Sequence, residues 1–418
     1  MAGTHKRYLL LVTALIAAPA LATNGYFQPG YGTISLGMAG AATALSQDSM
    51  AGAANPAGMA FVGERLDAGV ELFSPRRQYT VKGSPSQPGF ALRPGTEESG
   101  REWFVIPNFG VNKVIDEQQT LGLSVFANGG MNTHYSGRNG GTFGGGQTGV
   151  DLQQLFIAPT WTWKFAGGHA FGFSPVIAYQ RFSAEGLQVF GQMGFSSAPD
   201  ALSNEGTDDA WGYGFQLGWQ GQITETLRGG LSWRSILEMQ EFDDYAGLFA
   251  EQGDFDIPTT YAAGLAWSGI DNHWLLLDIQ HISYSDIASV GNPMLPNLVQ
   301  SRLGDDNGAG FGWDDVTVFK LGWQWQASDR QAWRAGISYA EQPIPDSEVL
   351  FNILAPGVQE WHLTAGFTRE LGEAVELSGM MLYSPRNEVD GANPLAPGQN
   401  IELSMQQFAA SVSIGWTF

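Results

Sequence analysis

A chain of 418 residues with 20 basic and 41 acidic side chains carries a formal net charge of −21 and no cysteine. That balance argues against nucleic-acid binding through phosphates, and the missing thiols exclude disulfides and thiolate metal sites. With 56 glycines and 12% aromatic residues the composition favours an all-β chain of many tight turns and large apolar faces.

The N-terminus reads as a secretion signal over residues 1–22. His5, Lys6 and Arg7 precede an apolar run from Leu9 to Ala18, and Ala20-Leu21-Ala22 fits a small-residue cleavage site. The run is shorter than the ~20 residues a spanning helix needs, and no later segment reaches that length.

Residues 23–60 follow. They include "GMAGAATALSQDSMAGAANPAGMA" (37–60), which is rich in small side chains and has no strand alternation. Asn55-Pro56 marks a fixed turn, because proline sets its own φ and restrains the residue before it.

Residues 61–418 repeat one pattern. In "QQFAASVSIGWTF", Phe408, Ala410, Val412, Ile414, Trp416 and Phe418 are apolar at every second position. Phe319 to Trp325, Trp211 to Trp219 and Trp361 to Phe367 alternate likewise. Side chains alternate faces along a strand, so one face is apolar and the other small or polar. The pattern predicts strands at 66–79, 102–112, 120–130, 152–165, 170–184, 210–221, 226–238, 258–268, 273–284, 314–326, 330–340, 359–370, 373–384 and 406–418. Long links alternate with short ones, from 80–101 (long) and 113–119 (short) to 371–372 (short) and 385–405 (long). Aromatic strand ends, an even strand count and alternating loop lengths are properties of an outer-membrane β-barrel with long external loops. Both chain ends are then expected on the periplasmic side. The expected fold is all-β, a 14-stranded antiparallel transmembrane barrel. A barrel of that size is not filled by its own side chains, so residues 23–60 are expected to form a plug in the lumen.

The segment "NGYFQPGYGTISLGMAGAATALSQDSMAGAANPAGMAF", with Gly37, Gly40, Asp48 and Asn55-Pro56-Ala57, resembles the N-terminal signature of the FadL family. These are outer-membrane transporters of long-chain fatty acids and other hydrophobic compounds. "LGLSVFANGG" (121–130), "YQRFSAEG" (179–186) and "WRAGISYAEQPIPD" (333–346) extend the resemblance along the chain. It implies a monomeric 14-stranded barrel closed by an N-terminal hatch that includes Asn55, Pro56 and Ala57. The expected partners are a long-chain fatty acid or another hydrophobic small molecule, with outer-membrane lipid and lipopolysaccharide around the barrel. No cofactor, metal or enzymatic activity is expected.

Two external loops are dense in apolar residues and suit a capture groove. One holds Leu187, Val189, Phe190, Met193 and Phe195; the other holds Phe242, Tyr245, Leu248, Phe249 and Phe255. Mutual packing of the two loops is the competing expectation. The resemblance makes Phe27 a candidate lining residue. A fatty carboxylate needs a cationic partner, and Arg228, Arg234, Lys320 and Arg334 face inward by alternation. Arg181 matches a family head-group position, yet strict alternation turns it outward, so that either a bulge reverses it or it lies above the lipid. The resemblance also implies lateral release at a kink in the third strand, where Asn128-Gly129-Gly130 are the candidates; the alternative is that they begin the next external loop. An aromatic-hydrocarbon transporter, a general porin and a lipid-modifying enzyme are the rival functions. The five histidines that follow the signal, His134, His169, His273, His281 and His362, sit in no recognisable nucleophile motif.

Overall fold

The computed structural model describes residues 23–86 and 89–418, so the expected secretion signal at 1–22 lies outside the described residues. The alternating segments form fourteen antiparallel strands. They are β1 (Arg65–Gly83), β2 (Phe104–Val114), β3 (Gln119–Asn132), β4 (Gly149–Phe165), β5 (His169–Glu185), β6 (Asp208–Gln222) and β7 (Leu227–Arg234). There follow β8 (Thr260–Trp267), β9 (His273–Ile282), β10 (Val316–Ser328), β11 (Gln331–Ala340), β12 (Trp361–Glu370), β13 (Val375–Ala392) and β14 (Gln399–Thr417). Each pairs with the next, and β14 closes on β1 in register from Arg65↔Thr417 to Gly83↔Gln399. Two short ribbons, Gly95–Glu98 and Glu238–Met239, add to this wall from the external loops. Closure pairs the first strand with the last, which is what lets a β-sheet sit in lipid.

The outward face carries the apolar set. Leu72, Phe173, Leu217, Leu231, Leu277, Leu321, Leu363 and Val412 are all exposed on it. Toward the short turns it ends in Trp161, Trp163, Trp325, Trp333 and Trp416. Toward the long loops it ends in aromatic pairs such as Tyr179–Trp211, Tyr339–Trp361 and Tyr383–Phe408, with ring centres 4.9, 4.6 and 5.0 Å apart. These are the two interfacial girdles of a membrane barrel.

One loop differs from expectation. The link at 385–405 is mostly strand, because β13 runs on to Ala392 and β14 begins at Gln399. Together with β1 they project past the girdle as a ribbon. Above the Gln406–Tyr383 hydrogen bond of 3.0 Å its outward side chains are polar or charged, among them Thr80, Lys82, Glu388, Asn400 and Glu402. Backbone pairing continues there although the apolar alternation has ended, and the sequence pattern follows only the latter.

Residues 23–61 pack against the inward face of the wall. They contain two single-turn helices, α1 (Thr33–Leu36) and α2 (Ala51–Ala54), and a 3₁₀ turn at Pro56–Phe61. Asn55 caps that turn by accepting from the Ala57 amide at 3.1 Å, and it donates to the carbonyls of Thr43 and Trp219 at 2.8 and 2.9 Å. Glycines in the wall make room for it: a Cβ on Gly218 would stand 2.0 Å from Asn55 Oδ1, and one on Gly172 would stand 2.2 Å from the Ala57 nitrogen. The segment does not start at the periplasmic rim. Thr23, the first described residue, is buried in the lumen, with its amide donating to Gln407 at 3.3 Å. The chain then descends to Arg65, while Phe418 lies at the periplasmic end.

Candidate functional site

The most irregular part of the wall is β3. Opposite β4 its register shifts between Ala127 and Gly129, so Asn128 is an extra residue, a bulge. From Phe126 to Thr133 every residue is buried, where a regular wall strand would alternate. The end of β3 therefore bends into the lumen. Pairing with β2 stops at Phe109↔Val125, which leaves Phe104 to Asn108 without a β3 partner and opens a gap in the wall. Asn128, Gly129 and Gly130 are thus part of the bent strand and do not begin the external loop.

The bend frees backbone groups that need partners. The N-terminal segment supplies them. The Gln28 amide donates to the Asn128 carbonyl at 3.0 Å, the Gly130 amide donates to the Tyr26 carbonyl at 3.0 Å, and Phe27 bridges Gly129. Only glycine tolerates this contact, since a Cβ on Gly129 would lie 1.9 Å from the Tyr26 oxygen. Tyr31 Oη adds a 2.9 Å hydrogen bond to Asn128 Oδ1. The N-terminal segment therefore lies behind the gap as a short extra strand.

Phe27 is wholly buried and meets a cation. The Arg234 guanidinium carbon lies 5.3 Å from its ring centre and 4.9 Å from that of Phe156. Arg234 is 2% exposed, and its Nε and Nη2 find no hydrogen-bond partner among the described residues. The hydroxyl of Tyr26, the residue next to Phe27, is likewise buried and unpartnered. The neighbours of Arg234 across the sheet are Gln216 and Thr260, both uncharged.

The other inward bases are engaged. Lys320 Nζ donates to the Pro29 carbonyl at 2.7 Å and to Gln280 Oε1 at 2.8 Å. Arg334 donates to Gln324, to Thr368 and to Gln47 of the N-terminal segment at 2.7, 2.6 and 3.0 Å. Arg228 stacks on Trp274 at 5.1 Å. Lys320 and Arg334 thus tie the N-terminal segment to the wall. Arg181 needs correction as a lumenal base. β5 alternates without a bulge from Ala170 to Ala184, so Arg181 stays on the outward face beyond the apolar belt.

The two apolar loops meet above the lumen. Leu187, Phe190, Leu248 and Phe249 line a cavity of about 40 Å³ together with Val150, Phe182, Leu303, Phe311 and Phe351. Phe242 is buried against Phe182 and Phe249, and Phe195 packs on the same cluster. Val189 is half-buried at its edge beside Gly144. The two loops therefore pack on each other, and the same residues line the cavity. Leu303, Phe311 and Phe351 come from two further loops that the sequence pattern did not single out. From this cavity a chain of touching rings leads inward: Phe182–Phe249 at 4.7 Å, Phe249–Phe255 at 4.8 Å, Phe255–Tyr26 at 6.0 Å and Tyr26–Phe27 at 5.1 Å. Tyr284 and Trp313 flank its lower end. The result is a continuous apolar line from the loops to Arg234 and the bent strand.

The profile of the outer membrane protein transport family (OMPP1/FadL/TodX) matches residues 11–377. The chain belongs to that family. Among solved structures it is similar to a Pseudomonas aeruginosa FadL homologue, at 15% identity and TM-score 0.72 over 94% of this chain and 100% of that one. It is also similar to the Pseudomonas putida toluene transporter TodX, at 17% identity and TM-score 0.70 over 95% and 100%. The Ralstonia pickettii toluene transporter TbuX aligns at 15% identity and TM-score 0.63 over 93% and 99%. No curated protein sequence matches the chain. As a member of the FadL/TodX family the protein is an outer-membrane β-barrel transporter of hydrophobic compounds and not an enzyme.

Proposed function

We propose that the transported compounds are long-chain fatty acids, taken up passively down their gradient. The observation that carries this reading is Arg234, a buried guanidinium with free donors at the inner end of an apolar line. An unpaired cation in an apolar site is costly unless an anion joins it, and a guanidinium suits a carboxylate through two parallel N–H···O bonds. The loops collect the acyl chain at Leu187, Phe190, Leu248 and Phe249. The head group then settles on Arg234, beside Phe27 and the Tyr26 hydroxyl. The cavity above is far smaller than an acyl chain, so entry displaces Phe249, Phe255 and Phe27. Moving Phe27 pulls on its contact with Gly129, which links binding to release between β2 and β3. Residues 23–60, with Asn55, Pro56 and Ala57, act as the hatch that blocks free diffusion through the lumen.

Mass spectrometry of ligand bound to the purified barrel tests the substrate class. Free fatty acid in the wild type, lost in Arg234→Gln, supports the reading; fatty acid retained equally by both sinks it. A second reading, transport of aromatic hydrocarbons, is favoured by the ring cluster of Tyr26, Phe27, Phe255, Tyr284 and Trp313 and by the two toluene transporters of the same fold. It predicts toluene binding that is indifferent to Arg234.

A further inference from the structure

Glu71 has no role in the account so far. It points inward from β1, is 3% exposed, and makes no hydrogen bond or ion pair among the described residues. Its neighbours across the sheet are Ser411 on β14 and Ile106 on β2. Ile106 lies midway along Phe104 to Asn108, the stretch of β2 that β3 has left. Around it gather Leu36 of the N-terminal segment, Phe73, Phe104, Ile106 and Ala127 of the bent strand, an apolar lining for the inner mouth of the gap. The inward residues beside Glu71 on β2 (Phe104, Ile106, Asn108) and β14 (Ala409, Ser411, Ser413) carry no charge, and neither do Thr33 of α1, hydrogen-bonded to Ser411, and Leu36 of the same apolar cluster. The charged groups nearest on its own strand are engaged elsewhere. Asp67 binds Arg65 and the Ser49 amide, and Arg77 donates to the carbonyls of Asn132 and Arg101.

A fatty acid released through this gap faces a charge problem. Its carboxylate is favourable beside Arg234 and unfavourable in hydrocarbon, so it must leave as the neutral acid. We propose that Glu71 is the proton donor to the departing fatty carboxylate at the lateral opening. This rests on the fatty-acid reading above. An unpartnered carboxyl in an apolar lining holds its proton, since the neutral form avoids burying a charge. When the carboxylate leaves Arg234 and reaches Glu71, two carboxyl groups share one proton. The Glu71 O–H bond breaks as the O–H bond of the fatty acid forms; the neutral acid passes into the bilayer, and the Glu71 carboxylate takes a proton from a hydronium ion of the surrounding water. Neutral cargo needs no such step.

The test compares uptake of oleate and of oleyl alcohol by cells that lack their own fatty-acid channel and express the wild type or Glu71→Gln. Glutamine keeps the shape and a hydrogen-bonding group and cannot transfer the proton. Oleate uptake is expected to fall about tenfold or more, as for loss of a positioned proton donor, with oleyl alcohol uptake unchanged. Equal slowing of both, or of neither, overturns the proposal. Infrared difference spectra of the purified barrel provide a second measurement that does not depend on transport. The wild type should show a protonated-carboxyl band that Glu71→Gln lacks, and a wild type without that band also overturns it. A wild type that carries the alcohol and neither carries nor binds oleate instead removes the fatty-acid reading itself.

Discussion

Arg234 lies over the ring of Phe27, and Phe27 in turn is bridged to Gly129 of the bent strand. One side chain thus stands between a buried cation, unpaired among the described residues, and the backbone contact that covers the gap in the wall. In the proposed transport a carboxylate that binds the cation moves the ring, and moving the ring disturbs the contact.

Replacing Arg234 by glutamine should weaken fatty-acid binding by roughly ten- to a hundredfold, the worth of a hydrogen bond to a charged group at about 1.5–3 kcal/mol. Arg234→Lys should recover only part of this, because an ammonium lacks the planar fork. Titration with a fluorescent fatty acid measures both. A neutral hydrocarbon probe serves as the control and should bind all three proteins alike.

Gly129→Ala sets a methyl group against the Tyr26 carbonyl. The two hydrogen bonds between Tyr26–Gln28 and Asn128–Gly130 should be lost, each worth about 0.5–1.5 kcal/mol. Bound ligand is then expected to dissociate about tenfold faster or more in stopped-flow measurements, with the barrel still resistant to unfolding in detergent. An unchanged dissociation rate would separate this contact from release.

Asp278 accepts hydrogen bonds from the amides of Ala42 and Thr43 at 2.9 and 2.8 Å, and it faces Lys320 across the sheet. Together with the Lys320 bond to Pro29 it latches the N-terminal segment from two sides. Replacing both, as Asp278→Ala with Lys320→Met, removes the latch without leaving one charge alone. Each lost hydrogen bond involves a charged group and costs about 1.5–3 kcal/mol. Planar-bilayer recordings should show ionic conductance where the wild type is silent.

Asp254 and Asp256 sit half-buried in the loop between β7 and β8, and Glu238 and Glu251 add negative charge nearby. Burial, and then the Asp256 charge, push the Asp254 carboxyl up to about 7. Burial raises Asp256 as well. A raised carboxyl stabilises the folded loop fully below its ordinary value near 4, and that contribution is lost as pH rises through about 7. Hydrogen-exchange protection factors in residues 240–258, which divide out the base catalysis of exchange itself, should therefore fall between pH 5 and roughly 8. Asp254→Asn should flatten that dependence.

Much of this molecule is legible in its sequence. Alternation in segments such as Phe319–Trp325 and Phe408–Phe418 is imposed by lipid on one side and the lumen on the other, so fourteen strands, their facing and the alternating loop lengths follow from residue order alone. The outward placement of Arg181 follows too, because no residue near it breaks the alternation. The Asn128-Gly129-Gly130 triplet signals a weak point in β3, although not the direction of its bend.

Other features depend on what the closed barrel brings together. Alternation marks Arg228, Arg234, Lys320 and Arg334 alike as inward. Register then gives Lys320 an aspartate across the sheet and Arg234 only Gln216 and Thr260, while the folded N-terminal segment supplies partners for Lys320 and Arg334 and none for Arg234. The apolar line through Phe249, Phe255, Tyr26 and Phe27 joins residues far apart in the chain, and the isolation of Glu71 is defined by neighbours on β2, β14 and α1. Local sequence fixes which face of a strand a side chain occupies. Whether a buried charge is paired depends on which strand lies beside it and on what fills the lumen, and only the closed barrel decides both.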